Sequence, residues 1–194
     1  SPIFDEESAA SIGSVQVFQS APEIVWVGTG EGNPRNSTSV GKGIWRSLDG
    51  GQSWSHLGLE DSEKIHRIVL HPTNPDIAFV GALGPTWSDG QQRGVFKTVD
   101  GGKTWEHVLY VDERTGCADL VVDPRNPNKL FAAMWSHRRE PWFFTSGGEG
   151  SGLYVTRDGG ESWKLLNGEG GFPAGELGRM GLAIARSQPE TVYA

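Results

Sequence analysis

The stretch GIWRSLDGGQSW, residues 43–54, recurs as GVFKTVDGGKTW at 94–105 and as GLYVTRDGGESW at 152–163. Each copy is a Gly-opened apolar segment, a Ser or Thr, an Asp-Gly-Gly corner, a second hydroxyl residue and a Trp. The three aspartates, Asp49, Asp100 and Asp158, stand 51 and 58 residues apart. A catalytic motif seldom occurs three times along one domain, whereas a structural corner of a repeated unit does. The chemistry of the corner agrees. The carboxylate accepts hydrogen bonds from backbone N–H groups of its own turn, the Gly pair supplies positive φ without steric cost, and the flanking hydroxyls join the network. The closing Trp (Trp54, Trp105, Trp163) is expected to bury its indole between sheets. All three aspartates therefore read as architectural, not catalytic.

A second unit recurs between the corners. IVLHPTNPDIAFVGA (68–82) matches LVVDPRNPNKLFAAM (120–134), VQVFQSAPEIVWVGT (15–29) is a looser copy, and LAIARSQPETVYA (182–194) is a fourth. Each reads as an apolar strand, a Pro-containing turn and a second strand. The Gly-opened segment supplies a third strand, and the run after the corner, such as TWEHVLYV, a fourth. The unit is thus a four-stranded antiparallel meander, strands A to D. Meanders repeated about every fifty residues predict an all-β chain, a β-propeller. Residues 1–194 then form part of one domain, with blades at about 13–60, 61–112 and 113–168 and a partial blade at about 176–194. A β-sandwich is the alternative, but it does not require near-identical hairpins at matching positions in each unit.

Composition narrows the function classes. The 194 residues are 36% hydrophobic and 21% charged, enough for a globular core, and 28 Gly with 8 Trp suit tight turns between aromatic strands. A net charge of −7 argues against nucleic acid or an anionic membrane as the main partner. No apolar run is long enough to span a bilayer, so no membrane insertion is expected. The opening SPIFDEESAA lacks the basic flank and apolar core of a signal peptide. The single cysteine, Cys117, makes neither an intrachain disulfide nor a metal-binding pair.

The pattern [ST]-x-D-G-G-x-[ST]-W resembles the Asp box, or BNR repeat, of sialidases, sortilin-type VPS10 domains and related propellers. Within that superfamily, VWVGTGEGN (25–33), RIVLHPTNPDIAFVGALGP (67–85) and VDERTGCADLVVDPRNP (111–127) are similar to the first blades of large bacterial VPS10/sortilin-like BNR proteins, often labelled glycosyl hydrolases on repeat evidence alone. The resemblance implies a ring with more blades than the three and a half present. It also implies an extracytoplasmic site of action, periplasmic or secreted, and a polypeptide ligand.

Strand polarity decides where a site belongs. If strand A runs away from an upper face, the A–B turns and the Asp corners share the lower face. The B–C and D–A connections then share the upper one. The B–C connections are 28–43, 82–94 and 134–152, long and unlike one another, as recognition loops on a rigid scaffold are. From them and the D–A connections come the expected ligand-binding residues Trp87, Arg93, Arg114, Trp135, His137, Arg138, Arg139 and Trp142. Arg beside exposed Trp is hot-spot composition, and Arg also holds carboxylates in a bidentate fork. The bland alternative is that Trp135 and Trp142 pack the loop onto its own blade while the charges are solvated.

Asp61, Glu63, Asp112, Glu113 and Glu140 are the carboxylates to weigh for acid–base work, since glycoside hydrolysis needs two at a defined separation. No catalytic residue is assigned; Glu113 and Glu140 are the two to test. The Arg-Ile-Pro motif of sialidases is missing, and Tyr110, Tyr154 and Tyr193 offer no Tyr–Glu couple. His66 and His137 are placed to face the axis, while His56, His71 and His107 read as structural. They make no metal box. GTGEGN follows a strand but opens no helix, so no phosphate-binding loop and no cofactor are expected. The sequon Asn36-Ser37-Thr38 reads as incidental. The functional expectation is a non-catalytic recognition or scaffold propeller that binds a protein, peptide or glycan through its upper-face loops. The alternative is a glycoside hydrolase completed by other blades. A third reading is a subunit of a larger assembly, by distant similarity to photosystem-assembly propellers with BNR-like repeats.

Overall fold

The computed structural model describes residues 3–33 and 35–194. Four antiparallel sheets follow one another among these residues. The first joins β1 (Ile12–Val17), β2 (Val25–Thr29), β3 (Ile44–Ser47) and β4 (Ser55–His56) in that spatial order. After a single 3-10 turn at Glu60–Ser62 come β5 (Ile65–Leu70), β6 (Ala78–Ala82), β7 (Gly94–Thr98) and β8 (Glu106–Leu109), again a meander. The third sheet holds β9 (Thr115–Asp123), β10 (Asn126–Glu140), β12 (Gly152–Thr156) and β13 (Lys164–Leu165), with β11 (Phe143–Ser146) paired to the far end of β10. β14 (Ala183–Ile184) and β15 (Val192–Tyr193) begin a fourth.

The strands are apolar on both faces because each sheet is packed on both sides. In the second sheet, Ile68, Ala78 and Val80 pack with Trp26 and Ile44 of the first. Their sequence neighbours Val69 and Phe79, together with Val95 of β7, pack instead with Cys117, Leu120, Leu130, Ala132 and Met134 of the third. Phe131, Leu153 and Val155 repeat the arrangement against Leu182, Ile184 and Val192. Alternate residues of a strand point to opposite faces, so this pattern requires sheets fanned in series. A sandwich would concentrate these residues into one shared core. Each fully buried aliphatic or aromatic side chain contributes about 1.5–3 kcal/mol.

The A strands β1, β5, β9 and β14 together line a cleft of about 820 Å³ whose walls include Val15, Arg67, Asp119 and Arg186. Backbone hydrogen bonds fix which connections share a face. Gly50 N donates to Glu23 O (2.9 Å), Gly101 N to Asp76 O (3.0 Å) and Gly159 N to Asn128 O (2.9 Å), so every Asp corner lies beside the A–B turn of its own blade. On the opposite face, Gly41 N donates to Glu63 O (2.7 Å), Leu83 N to Lys64 O (2.9 Å) and Gly90 N to Glu113 O (2.9 Å). These join B–C to D–A connections.

The three corners are superimposable in chemistry. Asp49 Oδ1 accepts from Ser47 Oγ (2.8 Å), Gln52 N (2.9 Å) and Ser53 N (2.9 Å), and Oδ2 accepts from Ser53 Oγ (2.6 Å). Asp100 and Asp158 make the same bonds to Thr98 and Thr104 and to Thr156 and Ser162. Both glycines of each corner have positive φ, 73° and 89° at Gly50 and Gly51, a region that costs other residues strain. The closing tryptophans are half-buried, not enclosed as expected. Trp105 lies edge-on to Trp26 of the preceding blade at 6.3 Å, and its Nε1 donates to Leu57 O at 2.7 Å. An indole with a hydrogen-bonded edge reaches across a blade boundary while its outer rim stays wet.

Candidate functional site

β10 positions most of the side chains of interest, and it departs from expectation. The segment 134–152 is not an irregular loop: β10 continues to Glu140, turns at Pro141-Trp142 and returns as β11. His137, Arg138, Arg139 and Glu140 face Ser146, Thr145, Phe144 and Phe143 across this hairpin. The aromatic and β-branched run Phe143-Phe144-Thr145 supplies the strand propensity that the charged run on β10 obscures.

The hairpin divides its residues by depth. Trp135 is 2% exposed, packs with Leu83, Ala118 and Phe144, stacks on His137 (4.4 Å between centroids), and donates from Nε1 to Ser146 Oγ at 3.2 Å. His137 is buried as well, and that burial, reinforced by the positive charge of Arg93, lowers its pKa to about 3. Arg93 is wholly enclosed: it donates to the carbonyls of Leu83 (2.9 Å), Ser88 (3.0 Å), Arg114 (3.2 Å) and Pro85. Burial lowers the Arg93 pKa to about 10, leaving it charged at neutral pH. These three side chains hold the second B–C loop and the base of the hairpin together, so they present no exposed contact surface.

The remaining predicted residues lie at the surface. Trp142 at the hairpin tip is 85% exposed, Phe143 beside it 60%, and Trp87 is exposed on the second B–C loop. Asp89 Oδ1 accepts from Arg114 Nε (3.2 Å) and Arg138 Nη1 (3.0 Å), and Arg138 Nε lies 3.4 Å from Glu140 Oε1. Arg139 sits over the Phe144 ring at 5.3 Å, its backbone N donating to Thr86 O at 2.8 Å. One face therefore carries an aromatic tip, a forked arginine pair sharing one carboxylate, and a third arginine on an aromatic platform. Glu113 is exposed on its connection, and Glu140 is half-buried beside Arg138.

Nearer the axis, sequence reasoning missed a polar group. Arg67 Nε pairs with Asp119 Oδ1 at 2.6 Å, and Asp119 Oδ2 accepts from Leu182 N at 2.8 Å, tying β9 to the fourth blade. Arg179 donates from Nη2 to His66 Nε2 (2.9 Å) and lies over Trp135 at 5.5 Å. Burial and the adjacent Arg67 and Arg179 lower the His66 pKa to about 4. The sequence signal was only that His66 and Arg67 open an A strand; Asp119 and Arg179 lie 52 and 113 residues from these partners. His71, expected to be structural, caps an A–B turn, its Nδ1 accepting from Asn74 N at 3.1 Å as Asp123 Oδ1 accepts from Arg125 N at 2.9 Å.

Comparison with known proteins bears on the whole arrangement. The family model described as Sortilin, neurotensin receptor 3 (Sortilin-Vps10) matches residues 42–170. The oligoxyloglucan-reducing end-specific xyloglucanase of Emericella nidulans is 24% identical over 119 residues, 59% of this chain and 12% of that protein. An ancestral GH74 enzyme of known structure superposes with a TM-score of 0.69 at 19% identity, over 95% of this chain and 22% of that one. The GH74 xyloglucanase from Xanthomonas campestris gives 0.55 at 17% identity, over 85% and 24%. The chain thus spans about an eighth of the curated relative, and the structural likenesses establish the fold, a β-propeller of which several four-stranded blades are present.

Proposed function

This chain belongs to the sortilin/Vps10 family, and from that premise we propose that its role in the whole protein is recognition: a blade array that binds a polypeptide or glycan on its upper face without chemistry. One observation carries the reading. Every corner aspartate is engaged by its own turn on the lower face, while the opposite face carries the exposed Trp142 at the tip of the hairpin that holds Arg139, and the Asp89–Arg114–Arg138 group. Trp87, Arg114, Arg138, Arg139 and Trp142 are the proposed contact residues. A rigid exposed aromatic next to arginines favours binding at little entropic cost. A ligand carboxylate would compete with Asp89 for the two guanidinium forks, which makes affinity salt-dependent.

Glycoside hydrolysis is the second reading, favoured by the name of the fungal relative, a xyloglucanase. Extracytoplasmic action follows from the family and is proposed with it; no helix among the described residues is long and apolar enough to cross a membrane. The test is a peptide library and a glycan array, oligoxyloglucans included, probed with the whole protein. Changing Arg138 and Arg139 together to Ala is expected to weaken the best-retained probe about tenfold or more, the loss of one or two charge-assisted contacts. Undiminished binding contradicts the proposed face. Hydrolysis of oligoxyloglucan that disappears in Glu113→Gln or Glu140→Gln overturns recognition in favour of the second reading.

A further inference from the structure

On the side of the first sheet turned away from the second, Val27 and Trp45 are buried, 4% and 2% exposed, whereas apolar side chains of the edge strand β1 are uncovered. Val15, Val27 and Trp45 lie opposite one another across β1, β2 and β3, as Ile68, Val80 and Phe96 do in the second sheet and Leu120, Ala132 and Tyr154 in the third. Ile68 and Leu120 are each 2% exposed because a preceding sheet covers them, but Val15 is 54% exposed. One end of the A strand repeats the contrast: Ile65 and Cys117 are fully buried, whereas Ile12, at the same register position, is 45% exposed.

A second observation says what belongs there. The second and third corners rest on residues of the sheet before them, and the first on Ile3. In the second corner, a Cβ on Gly102 would stand 2.5 Å from Leu57 Cδ1, and Trp105 Nε1 donates to Leu57 O. In the third, a Cβ on Gly160 would stand 3.1 Å from Phe79 Cε1 and 3.6 Å from Val108 Cγ2, and Trp163 Nε1 has no hydrogen-bond partner among the described residues. In the first, a Cβ on Gly51 would stand 2.8 Å from Ile3 Cδ1, and Trp54 Nε1 donates to Ile3 O at 2.6 Å. Leu57 and Val108 are each the third residue after a corner Trp. Ile3 holds the same position without such a Trp in the sequence before it.

The neighbouring contacts agree. Phe4 lies edge-on to Trp54 (5.0 Å) and Trp45 (5.6 Å), and Trp45 Nε1 donates to Glu7 Oε2 at 3.1 Å. In sequence, Ser1-Pro2-Ile3 aligns with Ser55-His56-Leu57, and Glu6-Glu7-Ser8 with Glu60-Asp61-Ser62. Ile3 precedes the first residue of β1 by nine positions, and Leu57 precedes that of β5 by eight.

We propose that Ile3 closes strand D of another Asp-box blade and that residues 4–8 are the connection from that strand to β1. That blade is carried by the polypeptide immediately N-terminal to Ser1 and packs over Val15 and Ile12. The residue before Ser1 is then the Trp of its corner, preceded by the [ST]-x-Asp-Gly-Gly-x-[ST] motif. β1–β4 is accordingly not the opening blade of the ring, contrary to the expectation from resemblance. The interface required is the one already repeated between the first and second sheets and between the second and third, so its chemistry is fixed: aliphatic B- and C-strand side chains and a D strand that ends at Ile3.

The experiment uses the intact polypeptide. Its N-terminal region is mapped by mass spectrometry of proteolytic peptides, and Val15→Cys is labelled with a maleimide beside Val40→Cys, whose position is exposed on a loop, with Ile12→Cys as a second reporter should Val15→Cys not fold. The expected result is a Trp-terminated Asp box directly before Ser1 and labelling of the β1 reporters about tenfold or more slower than at position 40, as for a site opened only by local unfolding. A polypeptide that starts at Ser1, a different sequence there, or β1 labelling as fast as at position 40 overturns the proposal. Protection that rises with protein concentration overturns it too, assigning the face to a second copy of the chain.

Discussion

At the scale of the residue, the corner aspartates show how a local motif is set by local chemistry. Asp100 accepts from the hydroxyls of Thr98 and Thr104 and from the Thr104 backbone N. These bonds, the Thr104 hydroxyl first among them, hold its pKa at about 2, and Asp49 is held there in the same way by Ser53. A carboxylate whose pKa is lower folded than unfolded contributes stability that is complete above the unfolded value, near 4, and is lost as pH falls towards the folded one. Thermal melting of the protein is therefore expected to weaken between pH of about 4 and 2, and to weaken less in Asp100→Asn, which has no charge to lose. Identical pH profiles for the two would contradict the role given to the carboxylate. These aspartates were legible in sequence because every partner lies within four residues. Arg93 was not: its enclosing carbonyls belong to Leu83, ten residues before it, and Arg114, twenty-one after. Loop composition alone gave it the look of an exposed contact.

At the scale of the element, the β10–β11 hairpin separates two tryptophans that the sequence leaves equivalent. Trp135 is enclosed against Leu83, Ala118 and Phe144, and Trp142 stands free at the tip. Trp135→Ala is expected to cost about 3–5 kcal/mol of unfolding free energy, the range for large aromatic deletions in a core. Trp142→Ala should change stability by no more than about 0.5 kcal/mol while weakening ligand binding. Urea denaturation of both variants checks the first pair of values, and a reversal of the two costs would mean that the hairpin is placed otherwise. Trp135 packs the hairpin onto its own blade, as the bland alternative has it, while Trp142 is exposed. The strand itself was illegible because Ser136–Glu140 looks like solvated loop until its partner strand, Phe143–Ser146, is laid beside it.

At the scale of the molecule, the repeat period was enough to foretell blades, since alternate residues such as Ile68 and Val69 had to find separate neighbours. Strand polarity followed from the same repeat, and the hydrogen bonds of Gly50, Gly101 and Gly159 to their A–B turns agree with it. What the period could not disclose is the Arg67–Asp119 and His66–Arg179 pairs, because those depend on strands brought together from distant parts of the chain. The claim on which the account rests is that corners and ligand occupy opposite faces. Deuterium exchange of the whole protein, with and without the peptide or glycan best retained from the library and array, tests it most directly. Protection is predicted in 85–93 and 136–146, with the amides of 49–54, 100–105 and 158–163 unchanged; protection centred on those three corners would contradict it.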